Sequence, residues 1–206
     1  MSLLTPNKAT LPLMEAFFTI QGEGAFTGYA AYFIRLGGCD VGCHWCDVKE
    51  SWEAEKHPNL TIEQITEEAG QHGENVVVIT GGEPLMYNLD ALTSELQRKG
   101  LRRHIETSGA HPLSGEWDWI CFSPKKFKSA KDEFYQASHE LKVVIYNKSD
   151  FQWAEGHAER MNKDTQLFLQ PEWSKAKEMV PLIVDYVKKN PKWRISLQTH
   201  KYLDIP

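Results

Sequence analysis

A chain of 206 residues with 41% hydrophobic and 25% charged residues has an ordinary globular composition and enough apolar material for one sizeable core. Its net charge of −5 argues against a dedicated nucleic-acid surface, and no run approaches the roughly 18 consecutive apolar residues of a membrane span. The first fifteen residues show no basic start followed by an apolar stretch, so the expectation is an unexported, cytoplasmic chain folded as one domain over 1–206.

Strand-like and helix-like stretches alternate along the chain. The first clear strand pattern is Ala31–Leu36, followed by a cysteine-rich loop. A helix is predicted over Thr61–Gly70, where Thr61-Ile-Glu-Gln64 reads as a capping box. Next come a strand at Val76–Thr80 and a helix at Asn88–Lys99, stopped by Gly100. Strands at Arg103–Glu106, Trp119–Phe122 and Leu141–Ile145 precede a helix at Ser149–Arg160. The last units are a strand at Gln166–Gln170, a helix at Ser174–Lys189 and a strand at Arg194–Gln198. Pro181 lies inside that last helix and predicts a kink or a later start. The runs Val76–Ile79 and Leu141–Ile145 read as parallel strands buried on both faces. Such alternation implies an α/β fold with parallel strands. A full eight-unit barrel takes about 250 residues, so an abbreviated or partial (β/α) barrel is predicted.

Cys39, Cys43 and Cys46 form a C-x3-C-x2-C triplet that can turn three thiolates to one side of a loop. Thiolates are soft ligands that select iron–sulfur clusters or zinc. Three ligands suit a four-iron cluster with one open iron. A zinc site would need His44, His57 or Cys121 as the fourth ligand, and none completes a usual spacing. Three unrelated buried cysteines are the remaining alternative, one that suits Cys121 better than the triplet. A thiolate cluster in an unexported chain fits a reducing compartment rather than disulfides.

The other polar motifs fall after predicted strands: Gly81-Gly-Glu-Pro84, Thr107-Ser-Gly109, Ser123-Pro-Lys125, Gln170-Pro171 and Gln198-Thr-His-Lys201. In parallel β/α folds the ligand lies beyond the carboxyl ends of the strands, so these motifs predict one shared site. Gly81 and Gly82 suit close backbone approach to a ligand, or a tight turn. Arg35 sits among apolar strand residues and needs an anionic partner, either a substrate carboxylate held bidentately or an internal salt bridge. The basic run Lys125-Lys126-Phe-Lys128 with Lys131 reads as a solvated loop or as a holder of a carboxylate or phosphate.

Together with Ile20-Gln-Gly-Glu-Gly24, Phe33-Ile-Arg-Leu36, Ile79-Thr-Gly-Gly-Glu-Pro84, Glu106-Thr-Ser-Gly109 and the Gln198-Thr-His-Lys-Tyr-Leu203 tail, the cysteine motif makes the sequence resemble the 7-carboxy-7-deazaguanine synthase family of radical S-adenosylmethionine enzymes, from about Met14 to Pro206. The resemblance implies a [4Fe-4S] cluster on Cys39, Cys43 and Cys46, with S-adenosylmethionine on the open iron. It implies cofactor contacts from Trp45, Cys46, Asp47, Gly82, Ser123, Pro124, Lys125 and Gln170. Substrate contacts are implied for Ile20, Gln21, Gly22, Arg35, Thr80 and Pro206, and no side chain beyond the cluster and the cofactor radical is assigned catalysis. The implied reaction turns 6-carboxy-5,6,7,8-tetrahydropterin into 7-carboxy-7-deazaguanine with loss of ammonia, in the biosynthesis of deazapurines such as queuosine. A homodimer and an external electron donor such as a flavodoxin are implied too.

One position departs from the family pattern. Thr or Ser often follows Cys-Asp there and helps to hold magnesium, but Val48 has no side-chain oxygen. Magnesium would then rest on Asp47, backbone and water, or give way to a cation such as Lys49. Two rival readings share some of these features. A glycyl-radical-enzyme activase would use the same cysteines, but the Gln21–Gly24 loop and the short tail leave little for docking a protein. A zinc-bound interaction domain would carry zinc without iron or sulfide.

Overall fold

The computed structural model describes residues 9–206. Among the described residues, nine strands form one open sheet in the order β3-β1-β2-β4-β5-β6-β7-β8-β9. In chain order these are β1 Thr10–Ile20, β2 Ala30–Leu36, β3 Asn59–Thr61, β4 Val76–Gly81, β5 Arg102–Thr107, β6 Trp119–Phe122, β7 Glu140–Ile145, β8 Gln166–Pro171 and β9 Trp193–Ile195. From β2 through β9 every neighbouring pair is parallel, whereas β1 runs antiparallel to both β2 and β3. The α-helices are α1 Ile62–Ile65, α2 Asp90–Arg98, α3 Phe134–Ala137, α4 Asp150–Ala158, α5 Ala176–Lys189 and α6 Thr199–Leu203. None of the described helices is long and apolar enough to cross a membrane. A parallel sheet that curves without closing is the predicted partial (β/α) barrel.

The period of two along each strand divides the sheet into two faces. One face carries Ile34, Leu36, Val77, Ile79, Leu141 and Val143, which pack with Leu92 and Leu96 of α2, Ala154 of α4 and Met179 and Ile183 of α5. Fully burying a side chain of this size stabilises by about 2 kcal/mol, so this layer dominates the core. The alternate residues Ala31, Phe33, Val76 and Val78 form a smaller apolar floor with Phe17 on the other face. Toward the carboxyl ends that second face becomes polar.

Several expectations need correction. β1, the longest strand, and β3 were not read from the sequence. A register shift between Leu13 and Glu15 breaks the period-two signal of β1, and β3 has only three residues. The capping box at Thr61 and Gln64 is present, but α1 stops after one turn instead of reaching Gly70. Thr66 turns its hydroxyl back to Ile62 O at 2.9 Å there, offering the backbone an alternative to further helix. α5 begins at Ala176 and runs through Pro181. That proline is exposed, so water can satisfy the carbonyl left without its amide, while Met179 and Ile183 hold the opposite side. The last strand starts one residue earlier than predicted and ends at Ile195, not Gln198.

Candidate active site

The carboxyl ends of the parallel strands open onto a cavity of about 350 Å³. Cys39, Cys43 and Cys46 line it, and their thiols are free. Their loop is anchored at its base, where Gly38 N–H donates to Ser51 O at 2.6 Å and Cys39 N–H to Trp52 O at 3.1 Å. Val41 and Ala110 pack among the three cysteines beside Trp45. Burial pushes the Cys43 thiol up to about 11 and raises Cys39 as well, so a metal must displace protons here. Cys121 is elsewhere, buried on β6 with its sulfur 3.5 Å from Glu140 Oε1. Three thiols facing one cavity, with the fourth cysteine outside it, fit a cluster that keeps one iron open. Among the described residues no three His, Cys, Asp or Glu side chains are already gathered around one point, the three cysteines included.

The glycine pair owes its composition to the cysteine loop. A Cβ on Gly81 would lie 2.2 Å from Leu36 O, and one on Gly82 would lie 2.2 Å from Gly38 O and 2.8 Å from Cys39 Cβ. Gly81 also has φ of +143°, which favours glycine. The strand β4 can therefore press directly against the cysteine loop, and Glu83 N–H donates to Gly38 O at 2.9 Å. The Glu83 side chain is buried at the edge of the cavity. It accepts from Thr107 Oγ1 at 2.6 Å, Ser108 N at 2.8 Å and Ser108 Oγ at 2.5 Å. Glu83 thus staples the ends of β4 and β5 together.

Most of the residues expected at the cofactor reach the cavity. Trp45, Asp47, Gly82, Ser123, Lys125 and Gln170 line it, whereas Pro124 is buried and does not. Lys125 Nζ donates to Ser123 O at 2.5 Å and Ser123 Oγ at 2.6 Å, and burial lowers its pKa from the ordinary lysine value. Asp47 accepts from Lys201 Nζ at 2.6 Å and from Gln198 Nε2 at 3.2 Å. Burial works against its charge, and Lys201 outweighs burial, so the carboxyl sits below its usual value. Val48 lines the cavity beside Asp47, and its side chain has no oxygen to offer. The cation here is Lys201, not Lys49, which is exposed and lies off the cavity.

Ile20, Gln21, Gly22, Arg35, Thr80 and Pro206 also line the cavity. Arg35 and Thr80 are register partners on β2 and β4. Arg35 already has a protein partner, Glu15 on β1, reached through Nε at 2.6 Å. Its Nη atoms make no further hydrogen bond among the described residues, which leaves one edge of the guanidinium for a ligand. The tail folds back over Gly22, with Thr199 N–H donating to Gly22 O at 2.9 Å, and Pro206 O accepts from Thr19 Oγ1 at 3.2 Å.

The sequence reading passed over a buried ionic group on the cavity floor. Lys142 Nζ lies 2.5 Å from Glu23 Oε2 and 3.0 Å from Glu106 Oε2, and its side chain is only 4% exposed. Burial opposes the charge on Lys142, and the acidic groups around it more than offset this, holding its pKa well above the ordinary value. Gln21 Nε2 donates to Glu106 Oε1 at 2.9 Å, and Gln198 Nε2 to Glu23 Oε1 at 2.9 Å. The signal was present as a lysine inside the otherwise apolar run Leu141–Ile145. Such a residue needs a buried counter-charge.

An open parallel sheet with three cysteines after one strand and a polar cavity beyond the strand ends defines a radical S-adenosylmethionine protein. Residues 33–129 match the family model described as the radical SAM superfamily. The match to individual relatives is narrower. The 7-carboxy-7-deazaguanine synthase of Flavobacterium psychrophilum is 62% identical over 95% of this chain and 93% of its own length. The synthase of Synechocystis sp. is 48% identical over 94% and 93%. The crystal structure of QueE from Escherichia coli matches with a TM-score of 0.82 at 31% identity, covering 91% of this chain and 93% of that one. The chain belongs to the 7-carboxy-7-deazaguanine synthase family.

Proposed function

We infer that the chain is a radical S-adenosylmethionine lyase that converts 6-carboxy-5,6,7,8-tetrahydropterin to 7-carboxy-7-deazaguanine and ammonia. The observation that carries this reading is identity of up to 62%, over nearly the full length of both chains, to relatives named for that activity, together with three thiols on one cavity. It is favoured over a glycyl-radical-enzyme activase and over a zinc-bound interaction domain. When bound, the cluster and S-adenosylmethionine supply one-electron cleavage of a carbon–sulfur bond. The chain's own residues hold and orient. Cys39, Cys43 and Cys46 hold the cluster, and Trp45, Asp47, Gly82, Ser123, Lys125 and Gln170 surround the cofactor. Ile20, Gln21, Gly22, Thr80 and Pro206 surround the bicyclic substrate, whose carboxylate pairs with the free edge of Arg35.

The chain works as one domain over 1–206, and its site is reduced by an external flavodoxin-type donor in the cytoplasm. A homodimer is the working assembly. Magnesium has a smaller part than in relatives with a hydroxyl after Cys-Asp, because Val48 provides no oxygen and Lys201 occupies the neighbouring carboxylate. The deciding experiment is anaerobic incubation of the reconstituted protein with carboxytetrahydropterin, S-adenosylmethionine and a reductant. Mass analysis should show 7-carboxy-7-deazaguanine. Cleavage of the cofactor with the pterin left unchanged would sink the reading.

A further inference from the structure

Glu15 stands opposite Arg35 because β1 is irregular there. From Glu15 to Ile20 the strand keeps one register with β2, with Glu15 against Arg35, Phe17 against Phe33 and Thr19 against Ala31. Leu13, however, pairs with Leu36, so β1 spends two residues where β2 spends one. A bulge of this kind re-aims side chains, and because side chains alternate along a strand it decides the face on which each one falls. Had the register of Leu13 continued, Met14 would stand opposite Arg35, and Glu15 would stand opposite Ile34 on the face of the apolar core. A thioether is a weak acceptor, and a carboxylate in the core is costly. The bulge removes both problems and brings a strong acceptor to Arg35.

The row continues across the sheet. Arg35 is also the register partner of Thr80 on β4, and both line the cavity, whereas Glu15 does not. Phe17 and Phe33, on the same face, stack with ring centroids 5.7 Å apart and wall the cavity. Arg35 Nε donates to Glu15 Oε1 at 2.6 Å, and the Nη atoms make no hydrogen bond among the described residues. With Nε–H taken, the guanidinium keeps its end-on pair of Nη donors, a fork that meets a carboxylate bidentately. An arginine side chain has many rotamers, and a ligand that must first order it binds less tightly. Glu15 orders it in advance. Its negative charge opposes a ligand carboxylate, but the side chain is 45% exposed against 19% for Arg35, so water and salt screen that repulsion.

We propose that Glu15 is a positioning residue for the substrate. By holding Arg35 through Nε, it presents the Nη fork to the carboxylate of the bicycle and so sets how strongly the site selects carboxylated ligands. This rests on the activity inferred above. Glu15 touches no ligand and acts only through Arg35, and the bulge in β1 is thereby part of the recognition device.

Binding of the product separates this proposal from the activity itself. The anaerobic holoenzyme with S-adenosylmethionine is titrated by calorimetry with 7-carboxy-7-deazaguanine and with 7-deazaguanine, which lacks only the carboxyl group. The native protein should bind the carboxylated compound about 10- to 100-fold more tightly, as befits hydrogen bonds between charged groups. In Glu15→Leu that ratio should fall by about fivefold or more, because the fork is no longer ordered beforehand. Glu15→Gln keeps an acceptor for Nε, so its ratio should stay within about twofold of native. General loosening of the sheet edge would weaken both ligands alike and leave the ratio unchanged. An unchanged or larger ratio in Glu15→Leu, or no preference in the native protein, would overturn the proposal. So would a Glu15→Gln ratio as low as that of Glu15→Leu, since charge and not direction would then be at work. Should Glu15→Leu not fold, Glu15→Asp, which keeps the charge but withdraws it by one methylene, is judged on the same ratio. A lower ratio there supports the proposal and an equal one refutes it. Failure of the native protein to turn over carboxytetrahydropterin would count against the activity, whereas these ratios decide the role of Glu15.

Discussion

At the scale of single residues, four cysteines divide into two kinds by what surrounds them. Cys39, Cys43 and Cys46 line the cavity, whereas Cys121 is buried beside Glu140 with its pKa raised well above normal by burial. A thiol whose ionised form is that unfavourable is a poor ligand and behaves as a small apolar group. Replacing any one of the triplet with Ala should therefore remove most of the iron and sulfide from anaerobically reconstituted protein, together with activity. Cys121→Ala should keep about four irons per chain and most of the turnover, as suits a three-cysteine, open-iron cluster. Iron loss in that variant would overturn the division. Cysteine spacing made the triplet legible, and the motifs around it located all but one of the expected contacts on the cavity. Pro124 was the exception, since a strand-end motif fixes a loop but not which of its side chains turns inward. The partners that Glu83 finds in Ser108, Glu106 in Gln21 and Lys142 in Glu106 were not legible, because each lies 25 or more residues away, even though a lysine inside an apolar run signals that some counter-charge is needed.

At the scale of elements, the tail containing α6 latches the site from two sides. Gln198 and Lys201 hold Asp47 in the cysteine loop, while Thr199 holds Gly22 in the entry loop. Sequence reading marked this tail as a motif but assigned no helix to it, since a five-residue helix gives too little period to detect. β1 escaped notice for a different reason, its bulge at Leu13–Glu15, and with it went the partner of Arg35. The latch has a consequence for metal binding. An ammonium 2.6 Å from the Asp47 carboxylate competes with any divalent cation for the same oxygens. Lys201→Met should free Asp47 and increase the stimulation of turnover by magnesium, by about threefold or more, and Val48→Thr should push in the same direction by adding an oxygen. Turnover measured against magnesium concentration in native and variant proteins checks this. A native protein inert without magnesium, or a Lys201→Met variant with the native dependence, would show that the ammonium does not stand in for the ion.

At the scale of the whole molecule, buried histidines away from the active site make stability sensitive to mild acid. His104 stands on β5 with its ring 4.4 Å from Phe26, it is 4% exposed, and its Nε2 has no partner among the described residues. Burial, helped by the charge of Arg102, depresses its pKa from 6.5 to about 4. The unfolded chain would take up a proton near the ordinary value, so between about pH 6.5 and 4 it binds more protons than the folded one. Stability therefore falls as the pH drops through that window, and below it this group contributes no further change. After allowance for relaxation and water access, the loss from His104 should be about 2 kcal/mol. His157, stacked on Tyr135 and held down to about 4 by burial, adds to the slope in the same direction. Urea unfolding of the native protein and of His104→Leu at pH 7.5, 6.0 and 5.0 tests the assignment. Any acid lability of the cluster is common to both proteins, so the difference between them isolates the histidine. The variant should lose about 1.5 kcal/mol less than the native protein between pH 7.5 and 5.0, since most of the window has been crossed by then, and parallel losses would place the acid sensitivity elsewhere.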